Sequence, residues 1–298
     1  MTNRLTWQTL ALLAVGVAAV SLAAPLMAQL VVPALAIAFW RNALTTAVLA
    51  PVAVVRRRDE VVALERRQVL EVLLAGACLA AHFGFWITSL TMTSVASSTA
   101  IVSLQVIWVV GFDVVRGVTV QRAVLLGVLV ATVGAVVVSG VDLSLSARAL
   151  AGDGLALVGS VAVAAYAVIG GRVRQRMSTT TYTTGAYGTA AVLLLVAALV
   201  AGQDLGGYGG EQWAWLVLLA ATAQLLGHSV FNHLLATVTP TVVSLALLLE
   251  IPGAALIAGF WLDQVPGPGA VVGLVLILLG MAVVVRTGPT PELPTAPA

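Results

Sequence analysis

Long apolar runs recur along the whole of this 298-residue chain, and they limit it to one structural class. The hydrocarbon core of a bilayer is about 30 Å thick, and roughly 20 helical residues cross it. Because lipid cannot hydrogen-bond an open strand edge, a run of this length is predicted to be a helix. The chain is therefore predicted to be an all-α membrane protein with ten transmembrane helices, numbered here as spans 1 to 10. They lie at residues 7–28, 33–55, 69–91, 95–115, 122–141, 153–172, 181–201, 212–236, 240–262 and 268–286.

The composition excludes a soluble domain. Charged residues make up 9% of the chain and hydrophobic residues 60%, whereas a soluble domain contains about 25% charged residues. We therefore expect membrane lipid to surround most of the chain. Cys78 is the single cysteine and lies in an apolar run, which excludes an intramolecular disulfide and a cysteine-based metal site. We predict no metal and no cofactor. We also predict no nucleic-acid partner, because the basic residues lie in the loops of a membrane protein.

The placement of the arginines predicts the orientation. Alternate loops and both ends of the chain carry 12 of the 14 basic residues, all of them arginines: Arg4, Arg56, Arg57, Arg58, Arg66, Arg67, Arg116, Arg122, Arg172, Arg174, Arg176 and Arg286. Short loops rich in arginine remain in the cytoplasm. We therefore expect a multi-pass protein of the inner (plasma) membrane with both termini cytoplasmic. Because further spans follow, the first is predicted to be retained and not cleaved as a signal.

The two halves of the chain are similar at a shift of 146 residues. At this shift His82 falls on His228 and Phe85 on Phe231, while Gly127 and Gly134 of span 5 fall on two glycines of span 10. The predicted domains are a first repeat at 1–145, a second at 150–286, and a disordered cytoplasmic tail at 287–298. Because each repeat has five spans, the second enters the membrane from the opposite side, as in the inverted repeats of many transporters. The glycines are expected to allow close helix packing, and a homodimer is left open.

Several motifs resemble those of the EamA-type branch of the drug/metabolite transporter superfamily. They are Phe39-Trp40-Arg41, Thr93-Ser94-Val95-Ala96-Ser97-Ser98, Gly152-Asp153 followed by Leu155-Ala156-Leu157, Pro240-Thr241-Val242-Val243-Ser244, and Glu250-Ile251-Pro252-Gly253. The resemblance covers nearly the whole chain and implies a ten-helix transporter of metabolites, often an exporter of amino acids or related compounds. The family usually has a proline near the middle of span 4, where this chain has Ser103-Leu104-Gln105-Val106, so the sequence leaves a bend there open.

Polar residues inside the spans are candidates for substrate binding, because they are costly in lipid. Gln224, His228 and Asn232 recur every four residues on one face of span 8, and His82 and Trp86 form the matching stripe in span 3. The histidines either line a central cavity or hydrogen-bond to neighbouring helices. The predicted substrate-binding residues are Arg41, His82, Trp86, Gln105, Tyr166, His228, Asn232 and Glu250.

Arg41 and Glu250 each have two interpretations. Arg41 either binds a substrate carboxylate with its planar fork or extends to the outer headgroups. Glu250, two residues before Pro252, either binds a substrate amine or a coupling proton, or makes a structural hydrogen bond near the backbone group that the proline leaves free.

These residues predict a secondary transporter of a small polar metabolite, and their mixed charges favour an amino acid or related compound. Export is favoured because the resemblance implies it. Alternating access would occur around a central cavity, and the chain has no Gly-rich lysine motif for ATP hydrolysis. An intramembrane enzyme is the first alternative, but the chain has no His-Glu-x-x-His or Gly-x-Ser-x-Gly motif. A non-transporting membrane scaffold is the second, but the loops are short. We therefore predict that the chain is not an enzyme.

Overall fold

A computed structural model describes residues 6–93, 95–139, 146–261 and 268–287. In these residues the regular secondary structure is entirely helical. The helices are α1 Trp7–Ser21, α2 Ala23–Met27, α3 Ala34–Arg56, α4 Arg58–Val62, α5 Arg66–Ser89, α6 Val95–Val102, α7 Gln105–Val115, α8 Arg122–Ser139, α9 Ala147–Val173, α10 Thr179–Val200, α11 Gly210–Leu219, a π-helical segment Ala220–His228, α12 Ser229–Leu234, α13 Pro240–Leu247, α14 Glu250–Trp261 and α15 Pro268–Thr287.

Eight stretches of helix in the described residues are long and apolar enough to cross a membrane. They correspond to spans 1 to 4 and 6 to 9, while spans 5 and 10 hold shorter apolar helices, Arg122–Val137 and Val271–Thr287. The protein is thus a multi-pass membrane protein, and the count of ten stays a prediction. Residues 288–298, most of the predicted tail, and Ser94 of the span 4 motif lie outside the described residues.

Polar side chains next to the first turn define where several helices begin. Thr6, Ser146, Ser178 and Thr239 are N-cap residues whose hydroxyls accept a backbone N–H three residues later. Glu65 forms a capping box with Gln68 at the start of α5. These caps satisfy backbone donors that a helix leaves free at its first turn, so the loops can stay short.

Helices α8 and α15 pack with their backbones in contact. A Cβ built on Gly127 would lie 2.7 Å from the carbonyl oxygen of Gly280, and one built on Gly134 would lie 2.6 Å from that of Gly273. The earlier glycine of α8 meets the later glycine of α15, and the later glycine of α8 meets the earlier one of α15, so the two helices run antiparallel. These glycines therefore serve close packing within the chain, as the sequence predicts.

The remaining packing repeats between the halves. Helix α5 packs on α9, where Gly159 approaches the carbonyl of His82, and the equivalent π-helical segment packs on α1, where Gly227 approaches Val20. Helices α3 and α10 are equivalent to each other and pack together in the centre. The arrangement places spans 2, 3, 7 and 8 around one buried polar region.

Spans 4 and 9 are both interrupted at equivalent positions. Span 4 breaks between α6 and α7, where the hydroxyl of Ser103 donates to the carbonyl of Thr99 at 2.7 Å and Leu104 makes a tighter i→i−3 backbone bond. Span 9 breaks between α13 and α14, where Leu249 makes the same kind of bond to Ala246 at 3.0 Å. Span 4 is therefore interrupted at the position where the family usually has a proline, and the interruption is present here without one.

At the end of the molecule that holds the loops at 57–65 and 174–178, called here the arginine-rich end, a hydrogen bond joins the two halves. The carboxylate of Glu60 accepts the backbone N–H of Ser178 at 2.6 Å, at the start of α10. This contact is called the Glu60 clasp. It ties the loop between spans 2 and 3 to the loop between spans 6 and 7.

The opposite end carries the equivalent contact with the halves exchanged. The side chains of Gln203 and Gln212 accept the backbone N–H groups of Leu35 and Val31, at 3.0 and 2.7 Å, next to the start of α3. These contacts are called the glutamine clasp. Under the shift of 146 residues, both clasps join equivalent loops.

Candidate functional site

Arg41 is the centre of the buried polar region. It lies on α3, its exposed fraction is 0%, and its Nε donates to Oε1 of Gln224 at 2.9 Å. Its guanidinium carbon lies 3.9 Å from the centre of the Phe83 ring, a cation–π contact. Within the described part of the chain, neither Nη1 nor Nη2 has a hydrogen-bond partner. In this structure Arg41 points into the protein and does not reach the headgroups.

The π-helical segment brings Gln224 to Arg41. Nε2 of Gln224 donates to Oδ1 of Asn42 at 3.2 Å, so one amide bridges two neighbouring residues of α3. The hydroxyl of Thr45 donates to the carbonyl of Ala220 at 3.3 Å and ties the start of the segment to the same helix. π-Helical turns are rare and are frequent at functional sites. The spacing of polar residues in span 8 indicates an ordinary helix and does not reveal this segment.

The two histidines lie on either side of Phe83. His82 stacks on Trp86 with ring centres 5.6 Å apart and planes at 9°, and its Nδ1 lies 3.0 Å from the carbonyl oxygen of Gly159. His228 meets the Phe83 ring edge-on at 5.5 Å. His82 also lies against Phe83, with ring centres 4.8 Å apart, and Phe83 is the ring over which Arg41 lies. The structure thus brings the predicted residues His82, Trp86 and His228 together around Arg41.

Glu250 supplies the opposite charge. It is the first residue of α14, immediately after the break in span 9, and its side chain is half-buried. Its carboxylate and the guanidinium of Arg41 are near enough to attract each other electrostatically. Direct ion pairs within 4.0 Å in the described residues do not include these two groups. The carboxylate and the guanidinium therefore face the same region without neutralising each other by direct contact.

Asn232 and Tyr166 belong to a separate network. The hydroxyl of Tyr166 donates to Oδ1 of Asn232 at 2.9 Å, and Nδ2 of Asn232 donates to the hydroxyl of Tyr187 at the same distance. Tyr187 lies 3.3 Å from the hydroxyl of Ser229, and the carbonyl of Asn232 accepts from Arg174. Because their polar groups already bond to the protein, this geometry favours a positioning role for Tyr166 and Asn232.

Gln105 is the remaining predicted residue. It opens α7 after the break in span 4, as Glu250 opens α14 after the break in span 9. Its side chain is buried, and among the described residues its Oε1 has no hydrogen-bond partner. The contacts described for the Arg41 region do not include it. Its role in binding stays a prediction.

Sequence reasoning missed Phe83 and Tyr187 and did not place Gln224 in the site. The repeat contains the signal for two of them: at a shift of 146 residues Arg41 falls on Tyr187 and Phe83 on Ser229. Arg41 contacts Phe83 and Tyr187 contacts Ser229, so the same pair of positions meets in both halves.

No group of three or more histidine, cysteine, aspartate or glutamate side chains in the described residues could hold a metal ion. The chemistry offered is a buried cation and a nearby anion between aromatic rings.

Comparisons with known proteins agree on the fold and on a family. The sequence pattern of the EamA-like transporter family matches residues 5–140 and 150–286. Among 29 matching chains of solved structures, one described as a protein crystal structure superposes with a TM-score of 0.75 over 91% of this chain and 94% of that chain. At 16% identity this likeness concerns the fold alone. No curated protein matches the chain.

Proposed function

Because the chain belongs to the EamA-like transporter family, a family of membrane transporters and not of enzymes, we propose that it moves a small zwitterionic metabolite, an amino acid or a related compound, through a site formed by Arg41 and Glu250. The proposal names the substrate class, the site and the mechanism. Each of these goes beyond the membership of the family.

The proposal depends on the two terminal nitrogens of Arg41, which have no hydrogen-bond partner among the described residues. A buried cation is costly unless its charge and its N–H groups are satisfied. Gln224 satisfies only Nε, and Phe83 covers one face, so Nη1 and Nη2 remain free among the described residues. Two parallel N–H groups match the two oxygens of a carboxylate. A substrate carboxylate would therefore recover the energy that burial of Arg41 costs.

Glu250 complements that carboxylate. Its side chain is half-buried and interacts electrostatically with Arg41, so the two charges bracket one region. An ammonium group on the substrate would lie toward Glu250 while its carboxylate lies toward Arg41. When no substrate is bound, Glu250 is the residue that we propose takes up a coupling proton. His82, Trp86 and His228 would form the walls between the two charges.

Antiparallel packing of equivalent helices supports alternating access around this site. The equivalent helices α8 and α15 run antiparallel, as an inverted repeat requires. Spans 4 and 9 break at equivalent positions, and paired broken helices mark binding sites in transporters of this design. The halves would rock around Arg41 and Glu250, opening one clasp while the other stays closed. We place the arginine-rich end in the cytoplasm and favour export.

The test is counterflow of pooled labelled L-amino acids in proteoliposomes, with native protein, Glu250→Gln and Arg41→Gln. Glu211→Gln is the matched control, because Glu211 lies in the exposed first turn of α11. We expect uptake by the native protein and the control, and loss of at least about tenfold in both site variants, since one charged contact contributes about 1.5–3 kcal/mol.

Two outcomes would contradict the proposal. Native uptake that survives both substitutions would show that substrate binds elsewhere. No uptake of any amino acid by folded native protein would reject the substrate class. A repeat with a pH gradient tests proton coupling, because Glu250→Gln removes the titrating group and should abolish any gradient dependence.

A further inference from the structure

The acceptor that orients Arg41 is a neutral amide. Gln224 has an exposed fraction of 0%, and its Oε1 accepts a hydrogen bond from the Nε–H of Arg41 at 2.9 Å. A carboxylate in the same place would form an ion pair and cancel the charge of the guanidinium. An amide of the same shape fixes the geometry of Arg41 and leaves its positive charge available.

Gln224 is itself held on both sides. Its Nε2 donates to Asn42 at 3.2 Å, and Nδ2 of Asn42 donates to the carbonyl of Ala38 at 2.8 Å. The chain of bonds therefore sets which end of the Gln224 amide faces Arg41. With Nε occupied and the Phe83 ring 3.9 Å beneath the plane, the guanidinium can offer a ligand only its far end.

We propose that Gln224 is a positioning residue for substrate specificity: it holds Arg41 as an end-on fork, through Nη1 and Nη2, that selects a carboxylate over a neutral group of the same size. The inference rests on the proposed function, because it concerns the same site. It adds Gln224 as the residue that keeps the charge of Arg41 available to a substrate carboxylate.

The experiment compares each acid with its amide. Purified native protein is titrated with a panel of the common L-amino acids in a thermal-shift assay, and the amino acid that stabilises it best is compared with its primary carboxamide. We expect the native protein to prefer the acid on the order of 10- to 100-fold, because the carboxamide removes a charge-assisted contact. Gln224→Glu should reduce this ratio to near one.

A second variant separates orientation from charge. Gln224→Met keeps the length of the side chain, removes both hydrogen bonds and adds no charge. We expect it to weaken binding of the acid more than binding of the amide, so that the ratio falls but stays above one. A ratio of two affinities in one preparation is insensitive to the amount of folded protein, so a merely structural role of Gln224 would leave the ratio unchanged.

The outcomes are distinguishable. If the native protein binds acid and amide equally, the proposed recognition of a carboxylate fails. If the native protein discriminates and Gln224→Glu discriminates equally well, Arg41 does not depend on a neutral partner and the positioning role is overturned. Should Gln224→Glu fail to fold, Gln224→Met decides alone, because a ratio equal to the native ratio would refute the role.

Discussion

Substitution of the glycines between α8 and α15 should separate two helices that now touch. In Gly134→Ala the new Cβ would lie 2.6 Å from the carbonyl oxygen of Gly273 and 2.8 Å from the backbone nitrogen of Ile277. Both neighbours are backbone atoms of a helix and cannot move aside separately. Since ordinary contact begins near 3.4 Å, the helices must move apart by several tenths of an ångström along the seam.

The magnitude follows from the lost packing. Overpacking of a filled interface costs about 1–3 kcal/mol. In open space the same change should stabilise the helix by up to about 1 kcal/mol, because alanine is the better helix former. Gly111→Ala in α7 is the matched control, because a Cβ there meets no atom within 4 Å. The two variants should therefore differ by about 1–4 kcal/mol in free energy of unfolding.

Reversible unfolding in mixed detergent micelles measures these differences. Double variants test the direction of the helices, because Gly127 faces Gly280 while Gly273 faces Gly134. Substitutions at 127 and 280 should be non-additive, and those at 127 and 273, about 10 Å apart along the seam, should add. Equal stability of Gly134→Ala and Gly111→Ala would refute the close packing, and coupling of 127 with 273 would refute the antiparallel order.

The clasps give two further predictions. Partial burial acts to raise the pKa of Glu60, but the hydrogen bonds from Ser178 and Thr181 outweigh it, and the pKa lies below its usual value. The Glu60 clasp should therefore add about 1 kcal/mol of stability above pH 4.5, lost as the pH falls through the lowered pKa; unfolding of Glu60→Gln should lack this pH dependence. At the opposite end, Gln203→Ala should increase labelling of a cysteine placed at Ala34, which is 8% exposed beside the Leu35 N–H that Gln203 accepts, by a water-soluble maleimide about fivefold, with Gln8→Ala as the control; unchanged labelling would contradict a closed clasp.

The sequence predicted which segments are helical because hydropathy alone decides that in lipid. It did not predict the break in span 4, since no proline marks the residues 103 and 104 at which the helix is interrupted. It placed an irregularity near Glu250, and the break falls immediately before that residue. The π-helical segment leaves no trace in composition, because a widened turn uses the same residues as an ordinary one.

Periodicity identified the polar faces but not the partners on them. His82, Trp86 and His228 do lie around one region, as the stripes in spans 3 and 8 indicate. The choice between a buried and an extended Arg41 depended on whether Gln224 from another repeat could reach it, which no spacing within one helix reveals. Likewise Asn232 shares a stripe with His228 but is satisfied by tyrosines of two other helices.

Under the proposed alternating access, the unequal clasps would set which state of the protein is populated when no substrate is bound. The end with the glutamine clasp has two further bonds between the halves, from the indole of Trp40 to the carbonyl of Leu205 and from Gln212 to the carbonyl of Gln29. Four neutral bonds at about 1 kcal/mol each exceed the Glu60 clasp, at about 1 kcal/mol, by about 3 kcal/mol. If the halves alternate as proposed, such a difference would populate the state open at the arginine-rich end on the order of 100-fold over its alternative. The protein without substrate would then meet its substrate first from that side, whatever gradient later sets the net flux.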